Sequence, residues 1–597
     1  MLIQTLAVAA ALSSVSLCQL TRAEPQTGAM PPVGFSELHC SGDGVTDDTP
    51  CLQAAVNAAK NGELRVPVPA ACYRITKRIS IAAPIRIEAN GSKLCMDIPL
   101  ADDSTAGRLF DISSSQVTIN GLCIDGSLGA AGALTGGARY AFFAAGTKAH
   151  HITNIHLGHN TVTHLTQSDE KRPASKKVCF GVYLQYVDDS DVTESEIDTV
   201  SGTAVHFVST RRVSIERNKI TSPGWGGIVA YGGNHEFDIG FNRVTGSVAS
   251  PTMRILAAQN GDPTSLTFET PHGLKSGDKI VIYGGREKWQ QLNFTSSSPN
   301  VQVTVLDSTN ITVPVDSTAF GPVAGRLHAI PTSATTRYWA GSYDVPSNEA
   351  VTDGPNEDAS IHDNYASGFH MYGAVYRVGS VKHLVINNNV AEHIESGTGQ
   401  VTMVAVSARC AELDCSTRGL RDITIEKNRF VAADRYQMCI YIMNKIPHNG
   451  TDLPAATGIT IDDNKCVSSQ DRHWCFANAI VVNGKDGGIR NAHVRGNQVQ
   501  GDDTLPGAIV GGVISIIADA GASASSISVV NNSVSVCPEA SSTAHSIGIE
   551  AGPYSTETTI DNNTISGFET AIAVDRRAVR ASIGRNRYSN VRREIKR

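Results

Sequence analysis

The sequence predicts an all-β chain wound as a parallel β-helix, on three observations. A short phrase centred on one asparagine recurs along most of its length, and runs rich in Val and Ile lie between the copies. No helix-length periodic segment intervenes among them. The composition agrees: of 597 residues, 41% are hydrophobic, 18% are charged and 54 are Gly. That is too apolar for a disordered chain and too poor in charge for a coiled coil. A formal net charge of −7 argues against nucleic acid as a partner.

The first residues, MLIQTLAVAAALSSVSLCQLTRA, form an apolar run of signal-peptide length followed by small and polar residues. Although a basic leading segment is missing, residues 1–23 read as an export signal cleaved after Ala23. Leu17 is a poor residue before a lipidated Cys18, so a soluble secreted or periplasmic product is expected rather than a lipoprotein. The most apolar later run, Ala508 to Ala518, is too short to span a bilayer as a helix. Setting Cys18 aside leaves twelve of the 13 cysteines, an even number that suits disulfides in an oxidising compartment. Cys410 with Cys415 and Cys466 with Cys475 are spaced to staple loops, while Cys40, Cys51 and Cys72 crowd one end. No CxxC pair points to zinc, and Cys123 and Cys179 read equally well as buried thiols.

Residues 34 to 76 open with a tight Gly42-Asp43-Gly44 turn. Thr46 or Asp47 then caps a helix from about Thr49 to Ala59, whose apolar face is Leu52, Ala55, Val56 and Ala59. That face is expected to close one end of the solenoid, which would otherwise expose its core and its strand edges.

The recurring phrase follows from Asn160 onward, in forms such as SIERNKI, TIEKNRF, TIDDNKC and TIDNNTI. Its asparagines stand at 160, 218, 242, 364, 389, 428, 464, 497, 532, 563 and 586, and Ser195 fills the same slot in VTESEI. The shortest interval is 23 residues, a solenoid period. Each Asn is expected to adopt the left-handed conformation at a corner and to hydrogen-bond along the axis to its neighbours. Longer intervals mean loops added at other corners, where a binding cleft is built. The interval of 122 residues between Asn242 and Asn364 holds a small inserted β module over 251–332, with alternating strands and Gly/Asp turns. Trp289 and Tyr283 within it serve either glycan binding or the module's own core.

The stretch GDGVTDDTPCLQAAVNAA, followed by a Val-Pro strand and Tyr73-Arg74-Ile75, resembles the N-terminal signature of the pectate-lyase-like right-handed β-helix superfamily. That group includes rhamnogalacturonases, polygalacturonases, pectate lyases, epimerases and tailspike endoglycosidases. With the asparagine coils, the resemblance covers most of the chain outside the insert. It implies a right-handed solenoid and a polysaccharide substrate, with a monomer or a homotrimer as the oligomeric expectation. Two departures stand out. Ala71 and Cys72 replace the glycine usual before the tyrosine, and neither the ordered polygalacturonase motifs nor the Arg-x-Pro-x-x-Arg of pectate lyases is present. No catalytic set is carried over.

In that superfamily the substrate groove lies on the strand that follows the loop after the Asn corner. This maps groove strands to Gly181–Tyr186, Ala204–Val208, Ile228–Tyr231, Gly373–Val378, Met403–Ser407, Ile440–Asn444, Ala479–Asn483 and Ile547–Glu550. Alternation turns Tyr183, Gln185 and His206 outward. Asp188, Asp189 and Asp191, then Arg211 and Arg212, then His235 and Glu236 follow on successive coils. Paired carboxylates beside a histidine suit glycoside hydrolysis, so Asp188, Asp189, His206, Glu236 and Arg211 are the catalytic candidates. The bland reading is that the aspartates cap turns; a calcium site is the one cofactor alternative to none. A second cluster holds Arg409, Glu412, Asp414, Tyr441, Lys445, Asp471, Arg472 and His473, of which Arg409, Tyr441 and Lys445 have the chemistry for β-elimination on a uronate. Tyr231 and Trp474 are candidates to stack on sugars. The reading is a carbohydrate-active enzyme, hydrolase before lyase, with a non-catalytic glycan-binding solenoid as the alternative of a different class.

Overall fold

A computed structural model describes residues 35–37, 40–98, 107–127, 139–165, 179–200, 202–223, 226–246, 253–269, 271–285, 287–292, 301–323, 325–331, 341–345, 356–408, 419–432, 437–444, 454–468, 475–485, 487–501, 511–537 and 546–597. The export-signal reading of 1–23 lies outside these.

Three parallel sheets build the solenoid, each made by stacking one strand per coil. The first face runs through Val187–Thr193, Arg211–Glu216, His235–Gly240 and Asn356–His362. The second follows the asparagine corner, through Glu196–Val200, Lys219–Pro223 and Arg243–Thr245. The third runs through Phe180–Gln185, Thr203–Val208, Gly226–Ala230 and Gly341–Val345, and later through Gln437–Asn444, Asn478–Asn483, Ile514–Ile517 and Ile547–Ala551. The sequence assigns all of these third-face strands to the groove except Gly341–Val345 and Ile514–Ile517, and its other two groove segments, 373–378 and 403–407, fall in Tyr365–Val378 and Val390–Ala408 of the same face.

The interior is one continuous column of Ile, Val, Leu, Phe and Ala running the length of the coils. β-Branched residues suit it because each pleat faces the next coil about 4.8 Å away. At the corner between first and second faces the predicted ladder is complete. The backbone N–H of Asn218 donates to Asn242 Oδ1 at 3.0 Å, that of Asn242 to Asn364 at 2.9 Å, and so on to Asn586. Ser195 fills its slot, with its Oγ accepting the Asn160 N–H. One detail differs from expectation. The left-handed residue is the one before the asparagine at every corner but that of Asn586, for example Arg217, Phe241, Asp363, Asn388 and Lys427, with φ of 53–57°. That residue turns the chain, which frees the asparagine side chain to lie along the axis and bond to the carbonyl of the preceding coil, as Asn464 does to Ile425 at 2.8 Å.

The helix is Thr49–Ala58 and packs Leu52 and Val56 against the first coils. Its N-cap is Asp48 rather than Thr46 or Asp47. The Asp48 carboxylate accepts the amides of Ser41 and Gly42, while Asp47 takes the Thr49 amide. The disulfides correct the sequence pairing too. Cys466 bonds to Cys439 and Cys475 to Cys537, while Cys40–Cys51 and Cys72–Cys95 tie the first coils. Cys466 and Cys475 are near in sequence, but the strand that carries Cys439 brings it to Cys466 from the preceding coil. Cys123 is also disulfide-bonded, which excludes a thiol there. Cys410 and Cys415 lie outside the described residues.

The insert forms a separate antiparallel sheet between Met253 and Pro331 with its own core. Trp289 is that core's centre: it is fully buried and its indole N–H donates to the Pro322 carbonyl at 3.0 Å, so it does not present a ring to a glycan. The Tyr283 side chain lies outside the described residues. The solenoid resumes across the insert without a break, since His235–Gly240 pairs directly with Asn356–His362.

Candidate active site on the third face

Strand register lines the outward residues of the third face into rows. One row runs Phe143, Tyr183, His206, Val229, then through Arg377 and Ala405 to Tyr441, Val481, Ser515, Glu550, Ala573 and Lys596. Tyr183, Gln185, His206 and Tyr231 therefore share a face, as the alternation requires.

At the early end this face is aromatic. The rings of Phe143 and Tyr183 stack at 5.1 Å, those of Tyr183 and His206 at 5.0 Å, and Tyr140 and Phe180 stack at 5.0 Å. Tyr231 tilts against His206 at 5.5 Å. Much of this platform is covered: His206 keeps 6% of its surface, and among the described residues no hydrogen-bond partner reaches its Nδ1. Burial pushes the imidazole down to about 3. His206 is therefore neutral near pH 7 and packs among rings instead of standing open in a groove.

The aspartates predicted to join it lie on the first face, and each has a separate partner. Asp188 meets His151 Nδ1 at 2.9 Å, Asp189 accepts two hydrogen bonds from the Arg212 guanidinium, and Asp191 meets His156 at 2.5 Å. Arg212 holds the Asp189 carboxyl below the usual carboxylate range. Arg211 is exposed and stands in register between Asp188 and His235, while Glu236 is exposed at a left-handed bulge one coil beyond Arg212. The three aspartates do not converge, and among the described residues no group of three donors is arranged for a metal ion. Arg409, Lys445 and Trp474, with the rest of the second cluster apart from Tyr441, lie outside the described residues. Tyr441 is in the outward row, its hydroxyl 3.1 Å from Met443 Sδ and 3.5 Å from Asn483 Nδ2. Burial raises its phenol.

The sequence reading passed over Glu550, which closes one of its own groove strands. Glu550 sits three coils beyond Tyr441 in the same row of the third face, half-buried, with Ser515 Oγ donating to it at 3.1 Å. Gly511 and Gly512 crowd the carboxyl: a Cβ on Gly512 would lie 2.9 Å from Glu550 Cβ. Burial raises the Glu550 carboxyl against the hydrogen bonds from Ser515 and the Gly511 amide, and the charge of Asp575 raises it further. Asp575 itself follows the next strand of the same face and is held low by hydrogen bonds from the Arg577 side chain and amide. One carboxyl is thus biased to keep its proton and its neighbour to lose it. A signal was present in alternation: in IGIEA Ile549 and Ala551 point inward, which leaves Glu550 between them facing out.

No known family pattern matches the chain, and no curated protein matches it in sequence. Among solved structures it is similar to the Streptococcus pneumoniae surface adhesin PfbA, at 10% identity over 94% of this chain and 99% of that one, with a TM-score of 0.39. It is also similar to the A-module of the Azotobacter vinelandii mannuronan C-5 epimerase AlgE6, at 10% identity over 93% and 97%, TM-score 0.38. A third is an exopolygalacturonase from Thermotoga maritima, at 11% identity over 95% and 93%, TM-score 0.36. Strand pairing and the asparagine ladder carry the assignment: the chain is a parallel β-helix with three strands per coil, the architecture its N-terminal signature resembles.

Proposed function

We propose that the chain is a carbohydrate-active enzyme that hydrolyses glycosidic bonds of a polymer lying along the third face, with Glu550 as general acid. One observation carries this reading: Glu550 and Asp575, on adjacent coils, have environments that push their carboxyl groups in opposite directions. Such a divergence is how two carboxylates divide acid and base roles. Glu550 protonates the leaving oxygen; Asp575, kept ionised by Arg577, activates water or stabilises positive charge on the sugar. Tyr441 and Asn483, in neighbouring coils, offer hydroxyl and amide groups for sugar hydroxyls; Asn483 Oδ1 is buried with no partner among the described residues.

The test is a panel of pectic, alginate-like and bacterial exopolysaccharides with wild type and Glu550→Gln. New reducing ends without ultraviolet absorbance are expected, and the variant should lose roughly 10²- to 10⁴-fold in rate. Unsaturated, absorbing ends would make the protein a lyase. Retention without fragmentation would make it a binder, and a fully active Glu550→Gln would remove the residue from the chemistry.

A further inference from the structure

Nine Arg and Lys side chains fall within residues 575–597, against Asp575 and Glu594 alone, in a chain whose net charge is −7. All nine are exposed. Arg577 pairs with Asp575 at 3.0 Å and Arg580 with Glu557 at 2.8 Å. Among the described residues no carboxylate is within ion-pair distance of the side chains of Arg585, Arg587, Arg592, Arg593 or Lys596. Elsewhere on the solenoid surface cations and carboxylates alternate, as in Lys219–Glu196, Lys382–Glu357 and Arg429–Glu392. This coil departs from that rule. Unpaired like charges gathered on one coil repel one another, so they do not stabilise the fold.

Register shows where they stand. Arg587 lies opposite Thr564, Arg593 opposite Thr570 and Lys596 opposite Ala573. Ala573 lies opposite Glu550, so Lys596 belongs to the outward row of the third face, two coils beyond Glu550 and about 10 Å from it at sheet spacing. The cationic coil is continuous with the candidate active face.

We propose that this coil is a docking surface for a polyanionic glycan, one bearing carboxylate or sulfate groups, which continues from it onto the third face. Guanidinium forks match such groups with two parallel hydrogen bonds each. A second copy presenting the same coil would be repelled by it, whereas an extended anionic chain meets the cations and then the row that leads to Glu550. That the occupant is a glycan rests on the function proposed above; the preference for anions does not.

The experiment measures binding of the full-length Glu550→Gln protein to alginate, with neutral dextran as control. Binding to alginate alone is expected, weakening roughly tenfold or more between about 50 and 300 mM NaCl, because releasing condensed counterions into a more concentrated salt solution gains less entropy. Adding Arg585→Gln, Arg587→Gln, Arg592→Gln and Arg593→Gln should weaken it roughly tenfold again at low salt, with the thermal midpoint unchanged. The proposal is overturned by equal affinity for dextran, by salt-independent binding, or by a folded quadruple variant that binds as before. It is also overturned by stronger retention on vesicles of phosphatidylcholine and phosphatidylglycerol than on alginate, or by a variant that only aggregates while still binding alginate, which would make the cations guards of a strand edge. If the variant does not fold, the salt and dextran arms still decide. Loss of alginate binding in the quadruple variant alongside a fully active Glu550→Gln would sink the acid assignment and leave the docking surface standing.

Discussion

Two ladders run the length of this solenoid, and they obey different rules. The inner one stacks the corner asparagines, nearly all fully buried, each accepting a backbone N–H and donating to a carbonyl one coil back. The outer one stacks the left-handed bulge residues of the first face, Asp189, Arg212, Glu236, Asp358, His383 and Asp422, with φ of 51–54°. There the side chains stand in water, and charges match where they meet: Arg212 bonds to Asp189, and His383 lies 2.8 Å from Asp358 and 3.4 Å from Asp422. The spacing is the same in both. Inside, a corner amide left unpaired costs its full desolvation, so almost only asparagine satisfies the slot. Outside, solvent accepts whatever a side chain does not, and later coils place Gly458, Asn491 and Ser526 at the same bulge.

The sharpest break of this contrast is Asn464→Ala. Its amide oxygen accepts from the backbone N–H and the side chain of Asn428, and its nitrogen donates to Ile425 and to Asn497. Stranding those buried groups at about 1–3 kcal/mol each predicts a loss of several kcal/mol and faster amide exchange in the coils between Asn428 and Asn497. Asn464→Ser should recover part of it, because Ser195 occupies the same slot with one acceptor. A loss under about 1 kcal/mol for the alanine variant, by chemical denaturation, would make the ladder decorative.

The same contrast explains what could be read in advance. The inner ladder, the third-face strands and the capping helix were legible because burial permits few residue types at a fixed period, and the period shows. Catalytic roles were not. Asp188 and Asp189 drew attention as a carboxylate pair, yet their significance depends on Arg212 and His151, which arrive from coils 23 and 37 residues away. Glu550 needed its covering segment at Gly511 and Gly512 to become unusual, and coverage leaves no mark on a local pattern. His206 was placed outward correctly by alternation, but its burial beneath neighbouring rings was not foreseeable from a two-residue period. The disulfides followed coil stacking rather than nearness in sequence.

Smaller effects should separate histidines of the two environments. The hydrogen bond to Asp191 raises His156. In His362, burial lowers the imidazolium, but the bonds to Asp363 and Asp238, at 2.8 and 3.1 Å, outweigh it, so that group is raised as well. A raised folded value means the stabilisation is complete below the unfolded value of about 6.5 and fades as pH climbs through the folded one. His206 has the opposite sign: burial lowers it, so stability is lost as pH falls below about 6.5. His362→Gln should therefore flatten any rise in thermal midpoint between pH 8 and 6, and His206→Gln should steepen it, by a degree or two each. Parallel profiles for both variants and wild type would show that the pairs across coils carry no linkage.

The smallest effect belongs to the outer ladder itself. Asp189 and Arg212 meet through two hydrogen bonds, and that contact lowers the Asp189 carboxyl, yet both side chains remain more than two-fifths exposed. Water and salt replace most of what such a pair provides, so Arg212→Ala should leave the thermal midpoint within about 1 °C of wild type. What should move is the titration of Asp189: its carboxyl carbon, followed by NMR, should return to the ordinary carboxylate range once the guanidinium is gone. A large drop in midpoint with an unmoved titration would mean that the Arg212 stem packs the coil while its charge is idle. The outer ladder would then be a steric device, and the division drawn between the two ladders would fail at its exposed end.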